Sequence, residues 1–212
     1  MNNLKKQFIE FTLNHEILRF GTFTLNSGRQ SPYFFNTGLC NNGKLLSSLA
    51  KFYSNFIVEK AIEYDFIFGP AYKGITLASS ISQTLYLENS VNKPFCYNRK
   101  EVKTHGESGL FVGHQPTGTA IIIDDVISSG RSIAESIDLL TTNHAKPASV
   151  IVAFDRMEVG KDKRASIELS EHFNVSVHSI ITLDDIVSYI QNDESLTKYL
   201  SKMEEYMSEY KR

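Results

Sequence analysis

Two adjacent carboxylates, Asp124 and Asp125, stand between the apolar run Ile121-Ile122-Ile123 and the stretch Val126-Ile127-Ser128-Ser129-Gly130-Arg131-Ser132. Successive side chains of an extended segment point in different directions, so the two acids can do separate work. One can hydrogen-bond the hydroxyls of a sugar while the other helps to position a magnesium-bound polyphosphate, because Mg²⁺ takes a few carboxylate or water ligands and fills its shell with substrate oxygens. The three isoleucines predict a strand covered on both faces in a parallel sheet and ending at the carboxylates. Open α/β sheets bind their ligands at that edge. The following IAESIDLL has helical spacing, which puts Ser128 to Ser132 at a helix N-terminus, where unpaired backbone N–H groups cradle a phosphate. The helix dipole adds about 0.3–1 kcal/mol for an anion there. A simple helix cap would need only one of these polar residues; the whole pattern reads as a site for a phosphorylated sugar.

Three other groups of residues have types suited to such a ligand. Arg99, Lys100, Lys103 and His105 put three cations and an imidazole into seven residues of a polar, glycine-rich stretch; taken alone, they suit a solvated loop or one that faces a ligand. In FGPAYKGI, Gly69 and Pro70 force a tight turn, and Tyr72-Lys73 then offers backbone N–H groups and an ammonium to a diphosphate. An ordinary strand-to-helix turn would look the same. Phe34 and Phe35 suit either a core or the apolar cover of a flat ligand, and Arg156 carries the planar fork that matches a carboxylate. His15, His114, His144, His172 and His178 lack paired-ligand spacing, so no zinc site is expected.

The elements that must hold these residues alternate along the chain. An amphipathic helix is predicted over 4–19, and two strands over 21–36 are joined at Asn26-Ser27-Gly28-Arg29. A helix over 44–64 has Asn42 as its cap, and a buried strand over 65–69 leads through a loop to a helix over 75–87. After a strand over 94–98, residues 99–118 form a long polar loop, read as a mobile lid. A strand over 119–125, a helix over 131–143 and a strand over 148–155 complete the βαβ pattern, followed by a strand near 175–181 and helices near 183–191 and 196–210.

Composition sets wider bounds. A chain of 212 residues suits one domain with a real core. A net charge of −2 with both signs dispersed gives no global pull toward nucleic acid or membrane. Cys40 and Cys96 lack a CxxC neighbour and read as small buried hydrophobes in a reducing cytoplasm. No signal peptide or membrane span is expected.

The segment from Ile121 to Ser132 resembles the phosphoribosyl-diphosphate (PRPP) signature of type I phosphoribosyltransferases. TLNSGRQSPYFFN (24–36), FGPAYKGI (68–75), YNRKEVKTHGE (97–107) and Asp155-Arg156 extend the resemblance to the orotate phosphoribosyltransferase family, in order and spacing, over nearly the whole chain. That resemblance implies a central, mostly parallel sheet flanked by helices, with a small hood, mainly within 1–40, that contains a β-hairpin. It implies PRPP contacts from Asn26, Tyr72, Lys73, Arg99, Lys100, Lys103, His105 and residues 124–132, and orotate contacts from Phe34, Phe35, Ser128 and Arg156. Arg99, Lys103, His105, Asp124 and Asp125 would carry catalysis, with Mg²⁺ brought by PRPP and helped by Asp124 and Asp125 rather than held in an all-protein site. The family's loop reaches across a homodimer, so Arg99, Lys103 and His105 would serve the partner subunit's site and Lys100 its own. His105 could be a general acid or only a hydrogen-bond donor. A purine transferase and a non-catalytic PRPP sensor are the competing classes; the SPYFFN segment and Arg156 favour an anionic pyrimidine, and the basic cluster lies in the lid rather than on a nucleic-acid surface.

Two positions depart from the family pattern. Asn26 stands where a lysine is usual, and Arg131 lies in a turn where small residues are common. Arg131 or Arg29 is expected to replace part of the missing charge.

Overall fold

The computed structural model describes residues 2–25, 28–103 and 109–211, the side chains of residues 102 and 103 excepted. Helix α1 (Asn3–Asn14) starts where the Asn2 side chain accepts from the Lys5 N–H at 2.9 Å, and it buries Phe8, Ile9 and Thr12. It is shorter than the predicted 4–19. Glu16 takes a left-handed conformation (φ 56°), and the apolar Leu18 continues instead as strand β1 (Leu18–Thr24). β1 pairs antiparallel with β2 (Gln30–Phe35), in a two-stranded sheet separate from the main one. After a 3₁₀ turn, α2 (Gly43–Glu59) begins with Asn42 accepting from the Leu45 N–H, as predicted, but it stops short of Tyr64, with Ala61 left-handed at φ 48°.

The rest of the chain builds the main sheet: β3 (Phe66–Gly69), α3 (Lys73–Asn89), β4 (Phe95–Lys103), β5 (Gly109–Gly113), β6 (Gly118–Ile127), α4 (Arg131–Thr142), β7 (Ala145–Asp155), α5 (Ala165–Phe173), β8 (Ser176–Thr182), α6 (Leu183–Gln191) and α7 (Leu200–Tyr210). The order is β5-β4-β3-β6-β7-β8, parallel throughout except that β5 runs antiparallel to β4. From β3 the chain moves outward to β4 and β5, then crosses back to place β6 on the other side. The carboxyl ends of β3 and β6 therefore flank the switch point where open α/β sheets bind ligands.

The isoleucine run is apolar because both of its faces are covered. Ile121 and Ile123 join a core with Ile67, Ile151, Phe8 and Leu77, while Ala120 and Ile122 join another with Phe66, Ile133 and Leu140. Each fully buried isoleucine contributes about 1.5–3 kcal/mol of transfer free energy, which fixes this strand at the centre of the sheet.

Two further sequence expectations are corrected, and one element is added. β6 does not end at the carboxylates but runs on to Ile127, because β7 pairs alongside it as far as Ile127↔Asp155. Residues 99–118 are not one loop: Arg99 to Lys103 lengthen β4, and β5 pairs back on it, with Asn98 opposite Phe111. Helix α5 was not anticipated; it is short, and no side chain caps it among the described residues.

Candidate active site

At the switch point Asp125 is buried, 8% exposed, and its Oδ2 accepts from Lys73 Nζ at 2.7 Å and from Thr37 Oγ1 at 2.8 Å. Three elements converge on that oxygen: β6, the first residue of α3, and the 3₁₀ turn after β2. Asp124 Oδ1 accepts from the Asp125 N–H at 2.9 Å, and the buried Tyr53 hydroxyl donates to the Asp124 carbonyl at 2.7 Å. Burial, and then the negative charge of Asp125, push the Asp124 carboxyl well above the usual carboxylate range.

Beside it, the loop from Gly69 to Lys73 closes tightly. A Cβ on Gly69 would strike the Gly74 carbonyl oxygen, so only glycine allows this return. The Ala71 N–H donates to Asn98 Oδ1 at 2.9 Å, and the Ala71–Tyr72 peptide is cis. Tyr72 is 72% exposed, with Lys100 Nζ over its ring at 5.6 Å. On the other side Ser128 and Ser129 are exposed, Gly130 is left-handed (φ 75°), and no described side chain caps α4. The first N–H groups of α4 are thus left to a ligand or solvent.

The second half of the site lies under the hairpin. Phe34 stacks on Phe23 and Phe35 packs on Phe154. Arg156, 7% exposed, donates from Nε to Glu158 Oε1 at 2.6 Å and from Nη2 to the Tyr206 hydroxyl at 3.0 Å, and its guanidinium lies over the Tyr33 ring at 4.7 Å. Arg29 Nη2 donates to the other Glu158 oxygen at 2.6 Å. A cavity of about 590 Å³ joins the halves: it is lined by Lys73, Asp125, Ser128 and Ser129 and also by Phe34, Phe35 and Arg156.

Most of the anticipated residues therefore meet. Val126 also lines the cavity, whereas the Ile127 side chain is buried in the core and leaves only its backbone for a ligand. Ser132 sits exposed in the first turn of α4. Arg131 is turned away toward Glu135, at 2.9 Å. Arg99 donates to the Gly109 and Phe111 carbonyls at 3.1 and 3.4 Å, bracing β4 against β5. Asn26, His105 and the Lys103 side chain lie outside the described residues. Sequence reasoning missed Thr37, Tyr53, Asn98, Glu158 and Tyr206. Thr37, directly after the segment 24–36, Asn98, inside 97–107, and Glu158, two residues after Arg156, had a positional signal; Tyr53 and Tyr206 act from distant helices and had none. Among the described residues no group of three or more acids, histidines or cysteines could hold a metal alone, and no helix is long and apolar enough to cross a membrane.

A mostly parallel sheet with an acid pair and an uncapped helix at its switch point suits a phosphorylated ligand, and residues 41–188 match the Phosphoribosyl transferase domain family, which makes the chain a phosphoribosyltransferase. The chain is 44% identical to the orotate phosphoribosyltransferases of Mannheimia succiniciproducens and Haemophilus influenzae, over 99% of this chain and 99% of each relative. The crystal structure of the Francisella tularensis orotate phosphoribosyltransferase superposes with a TM-score of 0.85 at 39% identity, covering 97% of this chain and all of that one. The chain belongs to the orotate phosphoribosyltransferase family.

Proposed function

We propose that this chain transfers the 5-phosphoribosyl group of PRPP to orotate, giving orotidine 5′-monophosphate and pyrophosphate, a step of pyrimidine synthesis. The observation that carries the reading is one cavity lined by Asp125, Lys73 and the Ser128-Ser129 turn that leads into α4, and also by Phe34, Phe35 and the buried Arg156. Residues 128–132 receive the 5′-phosphate on backbone N–H groups. Asp124 and Asp125 hold the ribose hydroxyls, and Tyr72-Lys73 receives the diphosphate. Phe34 and Phe35 cover the flat base, Ser128 contacts its edge, and Arg156 pairs with its anionic group.

The acid pair fits Mg²⁺ in one specific way. Two carboxylates whose joint charge is costly when buried offer oxygen ligands but too few for a cage, which suits an ion that arrives with phosphate oxygens. When bound, Mg²⁺ supplies neutralisation of the pyrophosphate charge. The chain's own cations, Arg99, Lys100 and Lys103, act on the same developing charge, where one preorganised contact is worth about 2.7–4 kcal/mol. His105 either donates a hydrogen bond there or transfers a proton, the latter worth about 10²–10⁴-fold. The β4–β5 pair forms an outer edge of the sheet, which supports a homodimer in which Arg99, Lys103 and His105 serve the partner subunit's site. The free, buried Cys40 and Cys96 fit a reducing compartment, and we place the reaction in the cytoplasm.

The test is the fall in orotate absorbance when PRPP and Mg²⁺ are added to the purified protein, with no-magnesium, adenine and hypoxanthine controls. Magnesium-dependent loss of orotate is expected. A folded protein that binds PRPP and consumes adenine or hypoxanthine instead would overturn the choice of base.

A further inference from the structure

Arg156 has a crowded surround that the reaction does not by itself require. A guanidinium offers two hydrogen-bonding edges, a side edge formed by Nε and Nη2 and an end edge formed by Nη1 and the second Nη2 hydrogen. Here the side edge is occupied, with Nε on Glu158 Oε1 at 2.6 Å and Nη2 on the Tyr206 hydroxyl at 3.0 Å. The Tyr206 hydroxyl donates in turn to Glu158 Oε1 at 2.7 Å, closing a three-membered ring of contacts. Glu158 is 3% exposed and Tyr33 lies against the guanidinium face, so the plane is fixed as well as the edge. Burial disfavours the Glu158 carboxylate, but Arg156 and hydrogen bonds from Tyr206, Arg156 and Arg29 outweigh it and hold Glu158 below the usual carboxylate range. Glu158 is held in place by its backbone too: it forms an isolated antiparallel bridge with Lys211, and the next residue donates from its N–H to the Tyr210 carbonyl at 3.1 Å.

We infer that Glu158 and Tyr206 are positioning residues for the base subsite, consuming the side edge of Arg156 so that its end edge is presented to the anionic group of the substrate. The inference rests on the reading above, in which Arg156 binds orotate. Glu158 also draws Arg29 of the hairpin to the same carboxylate, so α7, the hairpin and the segment after β7 set one geometry. A free Arg156 would reach many anions in many poses, whereas a clamped one selects a planar ligand whose anionic group lies in the guanidinium plane.

The experiment measures the KM for orotate and for PRPP, kcat and Tm in Tyr206→Phe, Glu158→Gln, their double variant and Arg156→Ala. Tyr206→Phe keeps the ring and removes one hydrogen bond, so it reports even if Glu158→Gln folds poorly. The expected result is a rise of about tenfold in orotate KM for Tyr206→Phe, the equivalent of one hydrogen bond, with PRPP KM within about twofold of the parent. The double variant should be no worse than Glu158→Gln alone, since both act through one guanidinium. If Arg156→Ala raises orotate KM while Tyr206→Phe leaves it unchanged, the positioning role is wrong and the base-binding reading stands. If orotate and PRPP KM rise together with a fall in Tm, the ring is merely structural and the inference fails. If Arg156→Ala leaves orotate KM unchanged, the reading of Arg156 itself falls.

Discussion

Asn98, on β4, accepts a hydrogen bond of 2.9 Å at its side-chain oxygen from the backbone N–H of Ala71, in the loop between β3 and α3. The turn proposed to hold the diphosphate is thus anchored to the strand that carries Arg99 and Lys100.

Replacing Asn98 with leucine keeps much of the volume and leaves the Ala71 N–H without that acceptor, at a cost of about 1–3 kcal/mol. The PRPP KM should rise about tenfold with little change in orotate KM. Steady-state kinetics with each substrate varied in turn, alongside a melting curve, checks this. Equal changes for both substrates would show that Asn98 does not act through the loop.

Lys73 neutralises Asp125 at 2.7 Å, yet its side chain is about half exposed. Asp125 is buried and, among the described residues, keeps only Thr37 as a donor once the ammonium is removed, so Lys73→Ala should cost about 1–3 kcal/mol in unfolding by urea. It should raise the PRPP KM by about tenfold or more, because the ammonium is also the proposed diphosphate contact. A large loss of stability with unchanged PRPP KM would make Lys73 a structural partner of Asp125 only.

The missing lysine at Asn26 bears on Arg29 more than on Arg131. Arg29 lines the cavity, whereas Arg131 pairs with Glu135 outside it. Arg131→Ala should be silent, Arg29→Ala should raise PRPP KM, and Asn26→Lys should restore binding in the Arg29→Ala background. Failure of Asn26→Lys to rescue, measured by PRPP titration, would separate the two positions.

Two glutamates, together with Asp65, contribute to the acid limb of stability. Arg156 and three donated hydrogen bonds hold Glu158 below its ordinary value of 4.5 despite burial, and the backbone N–H groups of Lys163, Lys161 and Asp162 hold Glu168 down to about 2. Both release protons more readily when folded, so the unfolded chain binds more protons below pH ~4.5, and stability rises with pH there. Their contribution is complete above pH ~4.5 and is lost as pH falls through the folded values, toward about 2 for Glu168. Below about pH 4.5 Tm should therefore fall on account of these two groups, and Glu168→Gln should flatten that fall, whereas Asp124, raised to about 7, works in the opposite sense between neutral pH and 4.5. An unchanged acid limb in Glu168→Gln would remove Glu168 from this account.

The order of strands and helices was legible because Ile121 to Ile123 and the apolar residues of α2 and α4 report their own burial. Boundaries were misjudged where backbone geometry overrides side-chain pattern, as at the left-handed Glu16 and Ala61, and where a neighbour extends a strand, as β7 does beside Asp125. The acids, Lys73, Phe34, Phe35 and Arg156 could be read from local motifs because each sits in a short segment of unusual composition. The partners of those residues could not. Tyr53 lies 71 positions from the carbonyl it meets, Asn98 27 positions from Ala71, and Tyr206 50 from Arg156; such contacts exist only once the chain is folded.

The pairing of Glu158 and Val159 with residues 210 and 211 has a consequence for the emergence of this chain from the ribosome. The acid pair on β6 and Arg156 just after β7 have both been synthesised before β8, but the side edge of Arg156 has no Tyr206 until the chain extends 50 residues beyond Arg156. A nascent chain arrested before α7 could therefore hold phosphorylated ribose and still fail to recognise the base. Competence for the two substrates would be acquired in sequence during translation, the sugar phosphate first and the pyrimidine last.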